Sequence, residues 1–300
     1  MDTYTLLLSR NLSSLMDEAK TVREKHFQQR LSLCSIMNAK CGACSENCTF
    51  CAQSSHYSTD VQGFPLCSVE EILATYKKAS KYPIGHFSIV TSGGRLGQTE
   101  IDQICKSIEK KKDGPVKWCA SLGCITLKQL QQLKNAGLSR YHHNLETAKS
   151  FFPNICTTHT YKLREETVLN AKEAGLEVCA GGLFGLGESV GQRIELAHAI
   201  RHLDVTAIPL NFLIPIPGTP AAKAVRLTKE EILQTIALFR LVCPDTEIRV
   251  CGGREYHLKN EDYLVFEAGA NGMMVGGYLT QGGESIERDI AMIKKAGYEL

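Results

Sequence analysis

Short apolar runs alternate along the chain with longer amphipathic stretches rich in charge. Eight short runs read as strands: residues 35–40 (SIMNAK), 85–92, 115–121, 139–145, 176–182, 205–212, 247–253 and 271–277. Eight longer stretches read as helices: 68–81, 99–112, 126–136, 160–174, 189–203, 228–241, 259–268 and 284–297. Ser68 with Glu71, and Thr228 with Glu231, carry the spacing of a capping box, in which side chain and backbone satisfy each other at a helix start. NAG, EAG, EAG and KAG, at 135–137, 173–175, 267–269 and 295–297, put a glycine where each helix stops.

Strand–helix alternation predicts parallel α/β architecture. Eight such units in 300 residues predict a (β/α)8 TIM-type barrel. An open doubly wound sheet is the alternative, but no G-x-G-x-x-G follows the first strand. Residues 1–32 precede the first strand as an N-terminal helical extension, and the barrel takes 33–300. No Pro/Gly/Ser-rich linker, low-complexity run or internal repeat interrupts it.

At 43% hydrophobic and 22% charged residues, the composition is that of an ordinary soluble globular protein. A formal net charge of +2 gives no electrostatic case for nucleic acid or a membrane surface as partner. No stretch approaches twenty apolar residues, so no membrane-crossing helix is expected. The first thirty residues hold only a three-leucine run, without the basic start or cleavage site of a signal peptide. A cytoplasmic location is expected. The 13 cysteines are an odd and high count. In a reducing compartment they point to metal or redox chemistry and away from a disulfide framework.

Four of them fall in CGACSENCTFC: Cys41, Cys44, Cys48 and Cys51. The spacing Cys44-x3-Cys48-x2-Cys51 follows the first strand directly, at the end that forms the catalytic face of a barrel. A disulfide knot, a zinc site and an iron–sulfur cluster compete here. Structural zinc takes paired cysteines with a second pair or histidines, and His56 is close. Three cysteines suit a [4Fe–4S] cluster whose fourth iron stays open to another ligand.

The loop, with Phe50 between its last two cysteines, resembles the signature of the radical S-adenosylmethionine (SAM) superfamily. GACSENCTFCAQSSHY (42–57), YHHNLET (141–147), TTHTY (157–161), GGLFGLGE (181–188), PLNFLIPIPGTP (209–220) and IRVCGGRE (248–255) are together similar to the biotin synthase family, in the family's order. The resemblance runs from about residue 33 to the C-terminus.

That resemblance implies a [4Fe–4S] cluster on Cys44, Cys48 and Cys51, with SAM chelating the open iron. One electron then cleaves SAM to a 5′-deoxyadenosyl radical, which takes hydrogen from dethiobiotin. It places the SAM amino group at Gly93 and Gly94 of TSGGR, and the SAM carboxylate near Arg164, whose guanidinium suits a bidentate contact. Phe50 is implied to pack beside cluster and adenine, and NFLIPIPGTP to line the SAM site. Asn144 and Asn211 match positions facing dethiobiotin, a cyclic urea whose donors and acceptor an amide can serve. Glu146 stands where the family tends to have aspartate, and His142 shares strand parity with Asn144. A flavodoxin- or ferredoxin-type electron donor and a homodimer are further implications.

The family pattern holds a second, sacrificial [2Fe–2S] cluster on three cysteines and an arginine. Cys119, Cys179 and Arg249 match, but Ser88 stands in place of the remaining cysteine. A serine oxygen is a poor iron ligand beside a thiolate. Cys251 shares a strand face with Arg249, and Cys41 ends the first candidate strand. The expectation is therefore a rearranged auxiliary cluster on Cys119, Cys179 and Cys251, with Cys41 as candidate fourth ligand, of four irons rather than two. Cys124 follows Cys119 beyond its strand. Cys34, Cys67, Cys105, Cys156 and Cys243 are expected to be structural. Another radical SAM enzyme of the same barrel is the alternative function, and an iron–sulfur carrier a more distant one.

Overall fold

A computed structural model describes residues 11–277, 279, 280 and 282–300. A first helix, α1 (Leu12–Phe27), leads into β1 (Ser32–Lys40). There follow α2 (Val69–Ala79), β2 (His86–Thr91), α3 (Gln98–Glu109), β3 (Lys117–Ser121), α4 (Leu127–Ala136), β4 (Arg140–His142) and α5 (Tyr161–Glu173). Next come β5 (Glu177–Cys179), β6 (Gly182–Phe184), α6 (Val190–Leu203), β7 (Ala207–Phe212), α7 (Lys229–Val242) and β8 (Glu247–Val250). The chain ends with the short helices α8 (Arg254–Leu258) and α9 (Leu264–Glu267), then β9 (Gly272–Met274) and α10 (Ile286–Lys295).

All strand pairings are parallel. β5 and β6 share one position, because both pair with β7. The sheet therefore closes at eight positions, as the count of alternating units predicts. Its outer face is dry: Trp118 stacks on Tyr76 at 4.3 Å, with Phe87 edge-on at 5.6 Å, between the strands and α2. The Tyr76 hydroxyl donates to Val116 O at 2.7 Å, so the buried phenol is not left unsatisfied. α1 seats beside α7, where Arg240 lies 4.8 Å over the Phe27 ring and Arg23 4.8 Å over Tyr298.

The capping boxes at Ser68/Glu71 and Thr228/Glu231 form as expected, and Gly137 closes α4 in the left-handed region at φ 111°. Boundaries depart most at five places. β1 begins three residues earlier than its apolar run, at Ser32. The 139–145 strand shortens to Arg140–His142, and the 247–253 strand stops at Val250. The 176–182 strand breaks at Ala180–Gly181. The 259–268 helix is replaced by α8, a 3-10 turn at Lys259–Glu261, and α9. Lys259 at φ 50° interrupts that helix, while Arg254 pairs with buried Asp262 and with Asp289 at 3.0 Å.

The break at Gly181 matters for the site. A Cβ there would sit 1.9 Å from Pro209 O on β7, and the Gly181 N–H donates to Asn144 Oδ1 at 3.1 Å. Only glycine lets the two strands approach so closely. Gly181→Ala should lower unfolding stability by about 1–3 kcal/mol, the usual cost of overpacking a tight interior. Urea denaturation checks this, and an unchanged midpoint would contradict it.

Candidate functional site

Two cavities meet inside the barrel. The upper one, about 190 Å³, lies under the loop that follows β1 and includes Cys44, Cys48 and Cys51 in its lining. The loop is held by its own backbone: Cys44 N donates to Gln53 O at 3.0 Å, Ser55 N to Cys44 O at 2.8 Å and Cys51 N to Cys48 O at 3.0 Å. Thr49 N reaches across to Ile155 O at 2.9 Å. Burial, with Cys44 and Cys41 nearby, pushes the Cys51 thiol up to about 11. Thiolates here thus need a cation to hold them, which is the condition an iron site meets.

The opposite wall of this cavity carries Gly93, Gly94, Glu146 and Arg164. Gly93 sits at φ +107°, a turn that bares backbone beside the cavity. Arg164 donates to Glu146 Oε1 at 2.7 Å, and its buried Nε has no partner. Glu146 is held in the left-handed region at φ 70° by Leu183 N donating to its carbonyl at 2.7 Å. A non-glycine residue in that region costs energy and is retained where its surroundings fix it. A buried guanidinium with an unmet donor suits an anionic group such as a carboxylate.

The lower cavity, about 410 Å³, is the barrel lumen. Phe50, Cys51, His142, Asn144 and Glu146 line both cavities, so the two form one chamber. Asn144 Oδ1 accepts from His142 Nε2 at 3.0 Å and from Gly181 N at 3.1 Å. That leaves the Asn144 amide nitrogen, with only a 3.4 Å contact to Glu146, as the donor facing the chamber. Burial lowers the His142 pKa and keeps the ring neutral. Asn211 lines the lumen with both amide ends tied to backbone, at Gly182 O and Gly252 N.

Besides Cys51, four thiols line the lumen: Cys34 from β1, Cys119 from β3, Cys179 from β5 and Cys251 just beyond β8. Burial pushes the thiols of Cys119, Cys179 and Cys251 up, against Arg140 and Arg249. Cys34 shares this volume with the three and lies beside Arg249. Four soft donors converge on one enclosed volume, a donor set that suits an iron–sulfur cluster.

Comparison with known proteins agrees. The Radical SAM superfamily family model matches residues 40–200, and the Biotin and Thiamin Synthesis associated domain matches 209–299. Biotin synthase of Maridesulfovibrio salexigens is 49% identical over 287 residues, covering 95% of this chain and 88% of that protein. Biotin synthase of Geobacter sulfurreducens is 47% identical, covering 97% and 89%. The chain belongs to the biotin synthase family. Among solved structures, methylornithine synthase superposes with a TM-score of 0.85 at 18% identity, over 99% of this chain and 92% of that one, which bears on the fold alone.

The structure places the expected site residues at these two cavities with one exception. Cys44, Cys48, Cys51, Phe50, Gly93, Gly94 and Arg164 gather at the upper cavity. Asn144, Glu146, Asn211, Cys119, Cys179, Cys251 and Arg249 gather at the lumen. Cys41 does not join them. It lines an adjoining cavity with Asn38, Asp60 and Phe64, which shares Ile216, Leu279 and Thr280 with the lumen, and its backbone pairs with Phe64. Cys34, expected to be structural, lines the lumen with the other three. Starting β1 at Ser32 gives Cys34 the parity of Ile36, another lumen residue. Cys124, in the upper cavity, has its Sγ 3.7 Å from His143 Nε2.

Glu247 is a further residue the sequence did not reveal. It accepts from Ser32 Oγ and from Arg249, and from Arg140 at 3.3 Å. Burial pushes its carboxyl up, but Arg249 and Arg140 outweigh burial and hold it near about 2. A lowered pKa stabilises the fold above the ordinary value of 4.5, and that contribution is lost as pH falls towards 2. Glu247→Gln leaves two buried guanidiniums short of an anion. It should cost about 3 kcal/mol in denaturant unfolding at pH 7, with the gap to wild type narrowing below pH 4.5. Equal midpoints at pH 7 would contradict this.

Proposed function

We propose that this chain inserts sulfur into dethiobiotin to form biotin, with a [4Fe–4S] cluster on Cys44, Cys48 and Cys51 and an auxiliary four-iron cluster on Cys34, Cys119, Cys179 and Cys251. When bound, the first group would supply the electron that cleaves SAM, and the second the sulfur atom. The observation that carries this reading is the single chamber, with the SAM-loop cysteines at its mouth and four thiols at its floor.

The protein's own residues divide the work. Arg164 and the Gly93–Gly94 turn bind and orient the carboxylate and amino ends of SAM. The Asn144 amide nitrogen donates to the ureido carbonyl of the substrate, since its oxygen is already committed to His142 and Gly181. Phe50, in the wall common to both volumes, keeps water from the reacting carbon. Arg249 serves as a fixed cation more than a ligand, because Glu247 holds its guanidinium. Ser88, beside Cys119 in the β2–β3 register, supplies a hydroxyl in place of a thiolate. A flavodoxin- or ferredoxin-type donor, a homodimer and a cytoplasmic setting complete the proposal. No described helix is long and apolar enough to cross a membrane.

Two experiments test it. The chain, rebuilt anaerobically with iron and sulfide, is incubated with SAM, a reductant and dethiobiotin. Biotin and 5′-deoxyadenosine should form together, whereas deoxyadenosine without biotin would move substrate or sulfur source elsewhere. Separately, Cys34→Ala and Cys251→Ala should each bind about half the iron of wild type, and Cys41→Ala the full amount, following from four-thiolate ligation of the second cluster. Full iron in Cys34→Ala, or a deficit in Cys41→Ala, would overturn the ligand assignment.

A further inference from the structure

Cys156 and His159 lie outside the chamber walls that the proposed reaction uses for sulfur, yet they press against one of its cysteines. Cys156 Sγ is 3.7 Å from Cys48 Sγ and 3.2 Å from His159 Nδ1. The three donor atoms all lie within 4.8 Å of one another. Cys156 is buried, and His159 nearly so. His159 Nε2 has no partner, which leaves Nδ1 as the nitrogen engaged with the other donors. Asn47 Oδ1 at 3.4 Å and Thr158 Oγ1 at 3.5 Å also approach the Cys156 sulfur. Glu46 Oε2 accepts from Nδ1 at 2.7 Å, and a cation bound at Nδ1 takes the place of that proton.

The sulfur–sulfur separation is that of a coordination tetrahedron, and the 3.2 Å from Cys156 sulfur to nitrogen is shorter than its edge. With metal–sulfur bonds of about 2.3 Å and a metal–nitrogen bond of about 2.05 Å, its edges measure about 3.8 Å between sulfurs and about 3.6 Å from sulfur to nitrogen. Two thiolates and a neutral imidazole balance a divalent charge, and three protein ligands leave the fourth position to water. Soft sulfur with imidazole selects zinc-class cations over magnesium or calcium.

We propose that Cys48, Cys156 and His159 form a mononuclear site for a divalent cation of the zinc class. Occupation of this site and ligation of the SAM-loop cluster by Cys48 exclude each other, because one thiolate serves both. A cation held there withdraws Cys48 from the three-cysteine set and blocks assembly of the cluster. The exclusion rests on the cluster role proposed for Cys48. Binding of the cation does not, so the two readings fail separately.

The probe is cobalt(II), added anaerobically to the full-length chain freed of iron, and followed by its thiolate-to-cobalt charge-transfer band. Wild type and Cys44→Ala should both show the band, and each should bind one cobalt per chain more than Cys156→Ala at the same metal concentration. Cys156→Ala and His159→Ala should weaken binding at least about tenfold, the least that loss of even an outer partner costs a metal site. Circular dichroism establishes that each variant is folded, and Cys156→Ser provides a nearly isosteric second variant. No band in wild type, a band undiminished in folded Cys156→Ala and Cys156→Ser, or a band lost in folded Cys44→Ala would overturn the proposal. As a second readout, cobalt should slow iron–sulfide reconstitution of wild type but not of Cys156→Ala. Equal slowing of both would overturn the exclusion.

Discussion

Closure of the parallel sheet is the constraint on which everything else in this protein depends. In a closed barrel every second residue of a strand must face the lumen, and no edge remains where a polar side chain could escape to water. Cys34 and Ile36 of β1, Ser88 and Val90 of β2, Cys119 and Ser121 of β3, and Arg140 and His142 of β4 follow that alternation into one volume. The opposite parity gives Leu33, Phe87, Ile89, Trp118 and Tyr141 to the dry layer under the helices. Strand parity therefore decides which residues line the lumen and which pack under the helices.

Closure also forces charge into the interior, and the protein answers with a pairing network at the floor. Glu247 lies between Arg140 and Arg249, and Glu177 binds the outer face of Arg140 at 2.8 Å. This network fixes Arg249 beneath the thiols as a permanent positive charge, where an assembly of thiolates and sulfide brings negative charge. At the upper cavity the same logic holds with Arg164 and Glu146. Each half of the chamber thus has a buried guanidinium, Arg164 or Arg249, held by a carboxylate and with its Nε unmet.

The alternation of strands and helices was legible in the sequence because each βα unit carries its own caps and stops. Ser68/Glu71 and Gly137 needed no tertiary information. The three-cysteine loop was legible because its spacing is local and it follows a strand. The lumen was harder to read. Its members come from all nine strands, and their relation depends on where each strand begins. A polar start at Ser32 hid three residues of β1, and with them the parity of Cys34. Cys41 looked plausible from its nearness to the strand end, but the reversal at Gly42 and Ala43, both at positive φ, and pairing with Phe64 carry it into a different cavity. The contact of Cys156 with Cys48 spans more than a hundred residues and leaves no local signal.

The central claim is that the thiol-lined floor of the chamber is the sulfur source for chemistry begun at its mouth. The most direct measurement rebuilds the protein with 34S-labelled sulfide, removes all free sulfide, and carries out a single anaerobic turnover with SAM and dethiobiotin before mass analysis of the biotin. The account predicts biotin carrying the heavy isotope in wild type and little biotin from Cys251→Ala. Biotin with unlabelled sulfur, or equal labelled product from Cys251→Ala, would contradict it.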